Sequence, residues 1–371
     1  MRMTGMIPMR GLVLLVMLGG CAGGRVRNDV AQARDDAAQP RATAAPNVDI
    51  RAIPKIDAHA HYRTDNPELI AALEAWNVRP VLVNVTGGDR KIDEKWRDYL
   101  ALRAAHPGRF FLVATFDPFR LEEPDFIPKT IAGLREQIAA GAKGVKVWKD
   151  IGMELKDAQG RYVQIDDPRF QPIWDFLAEQ HIPVLAHIAE PLAAWQPLNE
   201  ASPHFWYYTN NPRYHAYQHA EIPRHETIIA ARDRWIARNP RLTIVGMHLG
   251  SLEHDVGEVA KRLDAYPNFY VETAARINDL AMQPSDAVRR FMIAYQDRVM
   301  WGTDFGEGST NRAALETSFS QHWRYYAGAD TVTLGNPRSW HRTVQGLALP
   351  PAVLEQFAHR NAERVLKLTA R

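Results

Sequence analysis

The chain has 371 residues, 46% of them hydrophobic, and sets 45 Lys and Arg against 43 Asp and Glu for a formal charge of +2. That apolar share is enough for a sizeable core, in one large domain or two small ones. The near balance of charge, with no long basic run and no interleaved aromatic and basic patch, excludes nucleic acid as the expected partner.

The first element is not part of a fold. Arg2 and Arg10 give residues 1–20 a positive start, and the apolar run from Leu12 to Leu18 is too short to span a bilayer. Gly19 and Gly20 then lead into Cys21, the only cysteine. The stretch LGGC resembles the lipobox of bacterial lipoproteins. The resemblance implies that residues 1–20 are a signal peptide and that Cys21 is the acylated mature N-terminus. Ala22, rather than an aspartate, implies sorting to the outer membrane, facing the periplasm. Several acyl chains anchor far better than one, and an acylated Cys21 leaves no thiol for disulfides or catalysis. Residues 22–50 are rich in Ala, Arg, Asp, Gln and Pro without apolar period, so 21–50 reads as a lipidated, flexible tether. Residues 51–371 are expected to form the folded domain.

Eight short apolar runs follow, at 55–61, 79–86, 109–117, 141–148, 182–188, 242–250, 268–273 and 298–305. Between them lie segments such as PELIAALEAW and ETIIAARDRWIARN, with apolar residues three and four apart. Strand then helix, eight times, predicts an α/β fold of the (β/α)8 TIM barrel type. The rival is an open doubly wound sheet, but no GxGxxG follows the first strand, and GGDR after the second is a weak phosphate signal. A long, polar and aromatic insertion, 191–226, sits after strand five. Loops after barrel strands cover the active face, so it is expected to wall the substrate pocket.

Polar residues interrupt these strands at matching places. In KIDAHAH, a period of two puts Asp57, His59 and His61 on one face. His187 ends strand five, His248 strand six and Asp304 strand eight, while Lys146 lies within strand four between Val145 and Val147. One such histidine alone is usually structural. Four with an aspartate on one rim are the ligands expected for zinc or a similar divalent ion.

The set resembles the amidohydrolase superfamily, closest to the amidohydrolase 2 branch that includes aminocarboxymuconate-semialdehyde decarboxylase. DAHAH, LAHI, GMHLG and GTDF carry the resemblance, in that order, over 51–371. It implies that His59, His61, His187 and Asp304 hold one divalent ion, zinc or in its place manganese. His248 then polarises substrate and orients water, with Asp304 also serving as base. In binuclear relatives a carbamylated lysine bridges two ions, and Lys146 is the candidate for that role. Asp57 is expected behind the ligands, holding a histidine's other nitrogen or closing strand one onto strand eight. Arg276, Trp148, Trp206 and Tyr207 are candidates for substrate binding, with Glu272 and Lys149 near them. No argument from sequence separates His204, His215, His219 and His225 of the insertion. The leading expectation is a metal-dependent hydrolase of a small ester, lactone or amide. The alternatives are a nonoxidative decarboxylase of an aromatic or unsaturated acid, and a noncatalytic binding lipoprotein.

Overall fold

The computed structural model describes residues 49–87, 91–336 and 340–368. The signal peptide, Cys21 and all of the tether before residue 49 lie outside the described residues. Strand β1 (Lys55–His61) is followed by β2 (Val78–Val83), β3 (Phe111–Thr115), β4 (Ala142–Val147), β5 (Val184–Ala186), β6 (Ile244–Gly246), β7 (Phe269–Glu272) and β8 (Val299–Met300). Each pairs in parallel with the next, and β9 (Phe305–Gly306) pairs with β1. β8 and β9 are two pieces of one strand position, interrupted at 301–304. Ala58 N donates to Trp301 O (2.9 Å) and Asp304 N to His59 O (2.8 Å), so the sheet closes on itself. The eight-fold alternation therefore ends in the barrel it predicts.

The longer helices after the strands are α1 (Pro67–Ala75), α2 (Ile92–Ala105), α3 (Phe126–Ala139), α4 (Gln171–Glu179), α5 (His225–Arg238), α6 (Val256–Ala265), α7 (Ser285–Ala294) and α8 (Arg312–Ala327). Local chemistry sets where they begin. Asn66 accepts from Glu68 N (2.9 Å) ahead of α1, with Pro67 in the first turn, where its missing N–H costs nothing.

Alternation along the strands feeds two cores. Ile56, Ala58, Val81, Val113, Leu185, Val245 and Met300 fill the barrel, joined by Val365, Leu366 and Leu368 of the C-terminal segment. Leu112, Val145, Val147 and Val184 face outward and pack with Leu134, Trp174 and Trp235 of the helices. Each such aliphatic side chain contributes roughly 1.5–3 kcal/mol on burial. Lys146, buried between Val145 and Val147, is left on the inner side of β4.

Two features differ from the expected elements. β5 and β6 are three residues each, because the chain leaves the sheet at His187 and turns at His248. An antiparallel hairpin, β10 (Thr331–Gly335) and β11 (His341–Gln345), follows α8 and is absent from the eight-strand scheme. The insertion folds into short helical turns, with a helix at Phe205–Asn210. Among the described residues no helix is long and apolar enough to cross a membrane.

Candidate metal centre

β1 does not keep one phase. Its pairing with β2 shifts between Asp57 and Ala60. Ile56 and Ala58 belong to the barrel interior, but Ala60 and Tyr62 pack in the outer core. A strict period of two predicts Asp57 on the face of His59 and His61, and the slip corrects this. Asp57 turns to the end of strand eight, accepting from Thr303 N (2.9 Å), Thr303 Oγ1 (2.6 Å) and His59 N (3.1 Å). Of its two expected places it takes the closure of strand one onto strand eight. Burial pushes its carboxyl up to about 7, against the pull of those donors.

His59 and His61 meet Asp304 at the rim. His59 Nδ1 lies 3.2 Å from Glu272 Oε1 and His61 Nδ1 lies 2.8 Å from Val83 O. Each Nδ1 therefore carries the proton, and each Nε2 keeps a lone pair. Burial pushes His59, His187 and His248 well below the usual imidazole range, which keeps them neutral. The two Nε2 atoms are 3.1 Å apart and stand 3.3 and 3.1 Å from Asp304 Oδ1. Three acceptors this close repel unless a cation lies between them. Tetrahedral ligands on bonds of about 2.0–2.1 Å are about 3.3 Å apart, so the spacing fits zinc or a similar ion.

His248 and His187 extend the cluster. Ligand atoms of His59, His248 and Asp304 all lie within 4.8 Å of one another. His248 Nδ1 donates to Ala274 O (2.8 Å), so its Nε2 also keeps a lone pair. The His187 ring is 4.3 Å from that of His248, and His187 Nε2 is buried without a hydrogen-bond partner. The structure thus brings all five expected residues together, with His248 inside the tight group and His187 behind it.

A costly backbone aims His248. His248, Leu249, Gly250 and Ser251 have φ of 57°, 57°, 65° and 59°. Left-handed conformation costs each non-glycine residue roughly 1–2 kcal/mol. The turn is held from three sides. Arg232 of α5 donates to Gly250 O, His225 Nε2 lies 3.0 Å from Ser251 O, and Glu272 Oε1 accepts from His248 N (2.8 Å).

Glu272 is the residue that sequence reasoning left without a role. Fully buried at the end of β7, it serves His59, His248 N and Ala274 N at once. Gly302 makes room for it, since a Cβ there would stand 2.8 Å from Glu272 Oε2.

The other candidates lie around this centre. Lys146 Nζ is 2.6 Å from Met247 Sδ, a weak acceptor, and burial pushes the amine down to about 7. Arg276 is buried, with Nε 3.7 Å from Glu253 Oε2 and a bond to Ala275 O (3.0 Å). His204, Glu253 and Asp279 form a second acidic group, in which His204 Nε2 is 2.7 Å from Asp279 Oδ1 and Arg276 supplies a positive charge. Lys149 pairs with Glu190 and stands 3.3 Å from Tyr207 OH and 3.6 Å from the Tyr214 ring centroid, pinning the insertion to the barrel. Trp148 packs edge-on against Tyr214, whereas Trp206 is 46% exposed and packs on Phe205. The insertion's histidines separate once their partners are seen: His215 bonds Gln196 O, His219 Pro212 O and His225 Ser251 O.

A closed parallel barrel with two histidines on strand one, one histidine just past each of strands five and six, and an aspartate between the two pieces of strand eight defines a class of barrel enzymes built around a divalent metal ion. Residues 56–368 match the family model described as Amidohydrolase, and the chain belongs to that family. Membership makes it an enzyme that acts on small molecules. An uncharacterised TIM-barrel protein of Bordetella bronchiseptica superposes with a TM-score of 0.52 at 18% identity, over 86% of this chain and 100% of its own. A 2,6-dihydroxybenzoate decarboxylase complexed with 2,6-dihydroxybenzoate gives 0.51 at 16%, over 85% and 100%. The Rhizobium 2,6-dihydroxybenzoate decarboxylase gives 0.50 at 17%, over 85% and 99%. At such identities the likeness shows the fold alone. Among curated proteins nothing matches the chain.

Proposed function

We propose that the chain is a hydrolase of a small ester, lactone or amide, using one divalent ion held by His59, His61, His187 and Asp304. The observation that carries this reading is the trio of acceptors, His59 Nε2, His61 Nε2 and Asp304 Oδ1, all 3.1–3.3 Å apart. When bound, the ion, zinc or else manganese, polarises a carbonyl and acidifies water. Asp304, 31% exposed and open to the rim, takes a proton from attacking water and returns it to the leaving group. His248, fixed by Ala274 O and Glu272, orients water and substrate.

The reading extends to location: Cys21 carries lipid, and the enzyme sits on the cell envelope, at the outer membrane facing the periplasm. Mass spectrometry of the membrane-extracted N-terminal peptide tests this, and an unmodified Cys21 still preceded by residues 1–20 refutes it. That location favours hydrolysis over decarboxylation of cytoplasmic intermediates. The buried basic groups Lys146 and Arg276 favour the second reading, decarboxylation, because a substrate carboxylate would pair with the Arg276 guanidinium and hold the Lys146 amine protonated.

The test is metal content beside a panel of lactones, esters, amides and aromatic acids. One ion per chain and incorporation of solvent oxygen into a product support hydrolysis. Release of CO2 from an aromatic acid, with no turnover of the other classes, replaces it by decarboxylation. Two ions per chain with carbamylated Lys146 replace the single-ion centre.

A further inference from the structure

The end of the barrel opposite the metal centre holds a smaller cavity, of about 220 Å³. Its lining comes from the entry ends of the same strands. His181 and Ile182 precede β5, Arg241 and Thr243 precede β6, and Tyr270 lies near the start of β7. Leu177 and Ala178 give an apolar side, and the C-terminal segment adds Arg364, Val365 and Lys367. Catalysis in such barrels takes place at the other face, so the metal chemistry does not account for cations here.

Three of the lining residues, Arg241, Arg364 and Lys367, are cations, and Arg298 stands beside them. Arg298 Cζ lies 4.9 Å and Arg364 Cζ 5.5 Å from the Tyr270 ring centroid. Arg298 donates to Phe269 O (3.1 Å) and Tyr266 O (2.8 Å). Arg364 donates to Tyr270 OH (3.4 Å), Asn361 Oδ1 (3.1 Å) and Asp297 O. All of these acceptors are neutral. Burial pushes the Arg298 guanidinium down against the pull of Tyr270 and Asp297, and Arg364 adds to the push. Arg241 and Lys367 are exposed and, among the described residues, have no hydrogen-bond or ion-pair partner. Arginines elsewhere on the surface do pair, Arg120 with Glu123, Arg161 with Asp157 and Arg234 with Asp166. Like charges gathered without a counter-ion repel, and an anion among them removes that cost.

We propose that this basal cavity binds a phosphate-ester group, at a site separate from the metal centre. The uncommitted guanidinium of Arg241 suits phosphate oxygens two at a time, and Lys367 adds a mobile point charge. Arg364 keeps the floor of the cavity positive beside Tyr270. The apolar side, Leu177, Ile182 and Val365, receives the carbon body of the ester. A soluble ester and a lipid headgroup offer the same chemistry to these residues.

Calorimetric titration of the full-length protein tests the site, with phenyl phosphate as probe and benzyl alcohol as its neutral counterpart. Phenyl phosphate is expected to bind at least about tenfold tighter than benzyl alcohol. The double variant Arg241→Gln/Lys367→Gln, at two exposed positions, is expected to keep the fold and lose at least about tenfold in that affinity. His59→Ala is expected to bind phenyl phosphate as wild type does, which sets the cavity apart from the metal centre. Undiminished binding by the double variant, or binding that disappears in His59→Ala, overturns the proposal. So does binding seen only in a chain ended at Leu368, which would give the cavity to the chain's own C-terminal carboxylate. Flotation with vesicles distinguishes the sources. An excess on phosphatidylglycerol over phosphatidylcholine vesicles, lost in the double variant, supports the site with a lipid headgroup as its ligand. Phenyl phosphate binding without that excess supports the site with a soluble ester.

Discussion

Glu272 is one carboxylate serving three donors, and its removal separates orientation from ligation. Glu272→Gln keeps the shape but replaces one oxygen by an amide N–H₂, which then faces either His59 Nδ1 and His248 N or Ala274 N, all of which donate. Metal affinity is expected to fall about 10–100-fold, the usual effect of losing a group that orients a ligand histidine. Competition against a chelator measures it, and unchanged affinity refutes the role. His59→Ala and His61→Ala are expected to lose the ion outright by elemental analysis. His248→Asn is expected to keep it while turnover drops about 10²–10⁴. If metal leaves with activity, His248 is a ligand, consistent with its place in the tight group with His59 and Asp304. The histidines of the candidate metal centre were legible because each interrupts or directly follows an apolar strand. Glu272 carries the same mark in FYVE, but a lone acid at a strand end reads equally as a loop ion pair. Asp57 closes strand one onto strand eight, one of its two expected places, but its face was misread, because a slip in pairing leaves the alternation of residue types unchanged and reverses the face.

At the scale of elements, the turn after β6 is held against its own backbone strain. Arg232, 1% exposed on α5, donates to Gly250 O and pairs with Asp233. Arg232→Met leaves that carbonyl without its donor, at a cost of roughly 1–3 kcal/mol. The variant is expected to unfold at lower denaturant and to lose turnover while keeping its ion, since the ligands on β1 and at the end of strand eight do not depend on this turn. Full activity in a destabilised variant would show that Arg232 only supports α5. Strand positions were legible because apolar runs and helical periods alternate cleanly. The left-handed turn was not, because GMHLGS contains glycines but nothing that forces His248 and Leu249 to positive φ. The hairpin was missed because TVTLG buries only Val332 and Leu334, too short a signal beside eight stronger ones.

At the scale of the whole molecule, acid stability follows from histidines buried away from the metal. His322, on α8, accepts from Trp301 Nε1 (3.3 Å), and burial pushes it down to about 4; burial does the same to His225 under the insertion. Above pH 6.5 both are neutral in folded and unfolded chains alike and contribute no pH dependence. Between about 6.5 and 4 the unfolded chain takes up protons that the folded chain refuses, so stability falls as pH falls. Each histidine withdraws up to about 3 kcal/mol by the lower end of that window. Asp150, pushed up to about 7 by burial, works in the opposite direction, because the folded state binds its proton first. The two effects are separated by His322→Gln, which keeps an acceptor for Trp301 but cannot charge. Urea midpoints of the two proteins at pH 7 and pH 5 give the difference, in which the metal centre and the acids cancel. The variant is expected to gain about 2 kcal/mol on wild type between those pH values. A difference that does not change with pH would mean that His322 charges freely in the folded protein. The Trp301 bond would then be no barrier to protonation, and α8 would reach its place by packing alone.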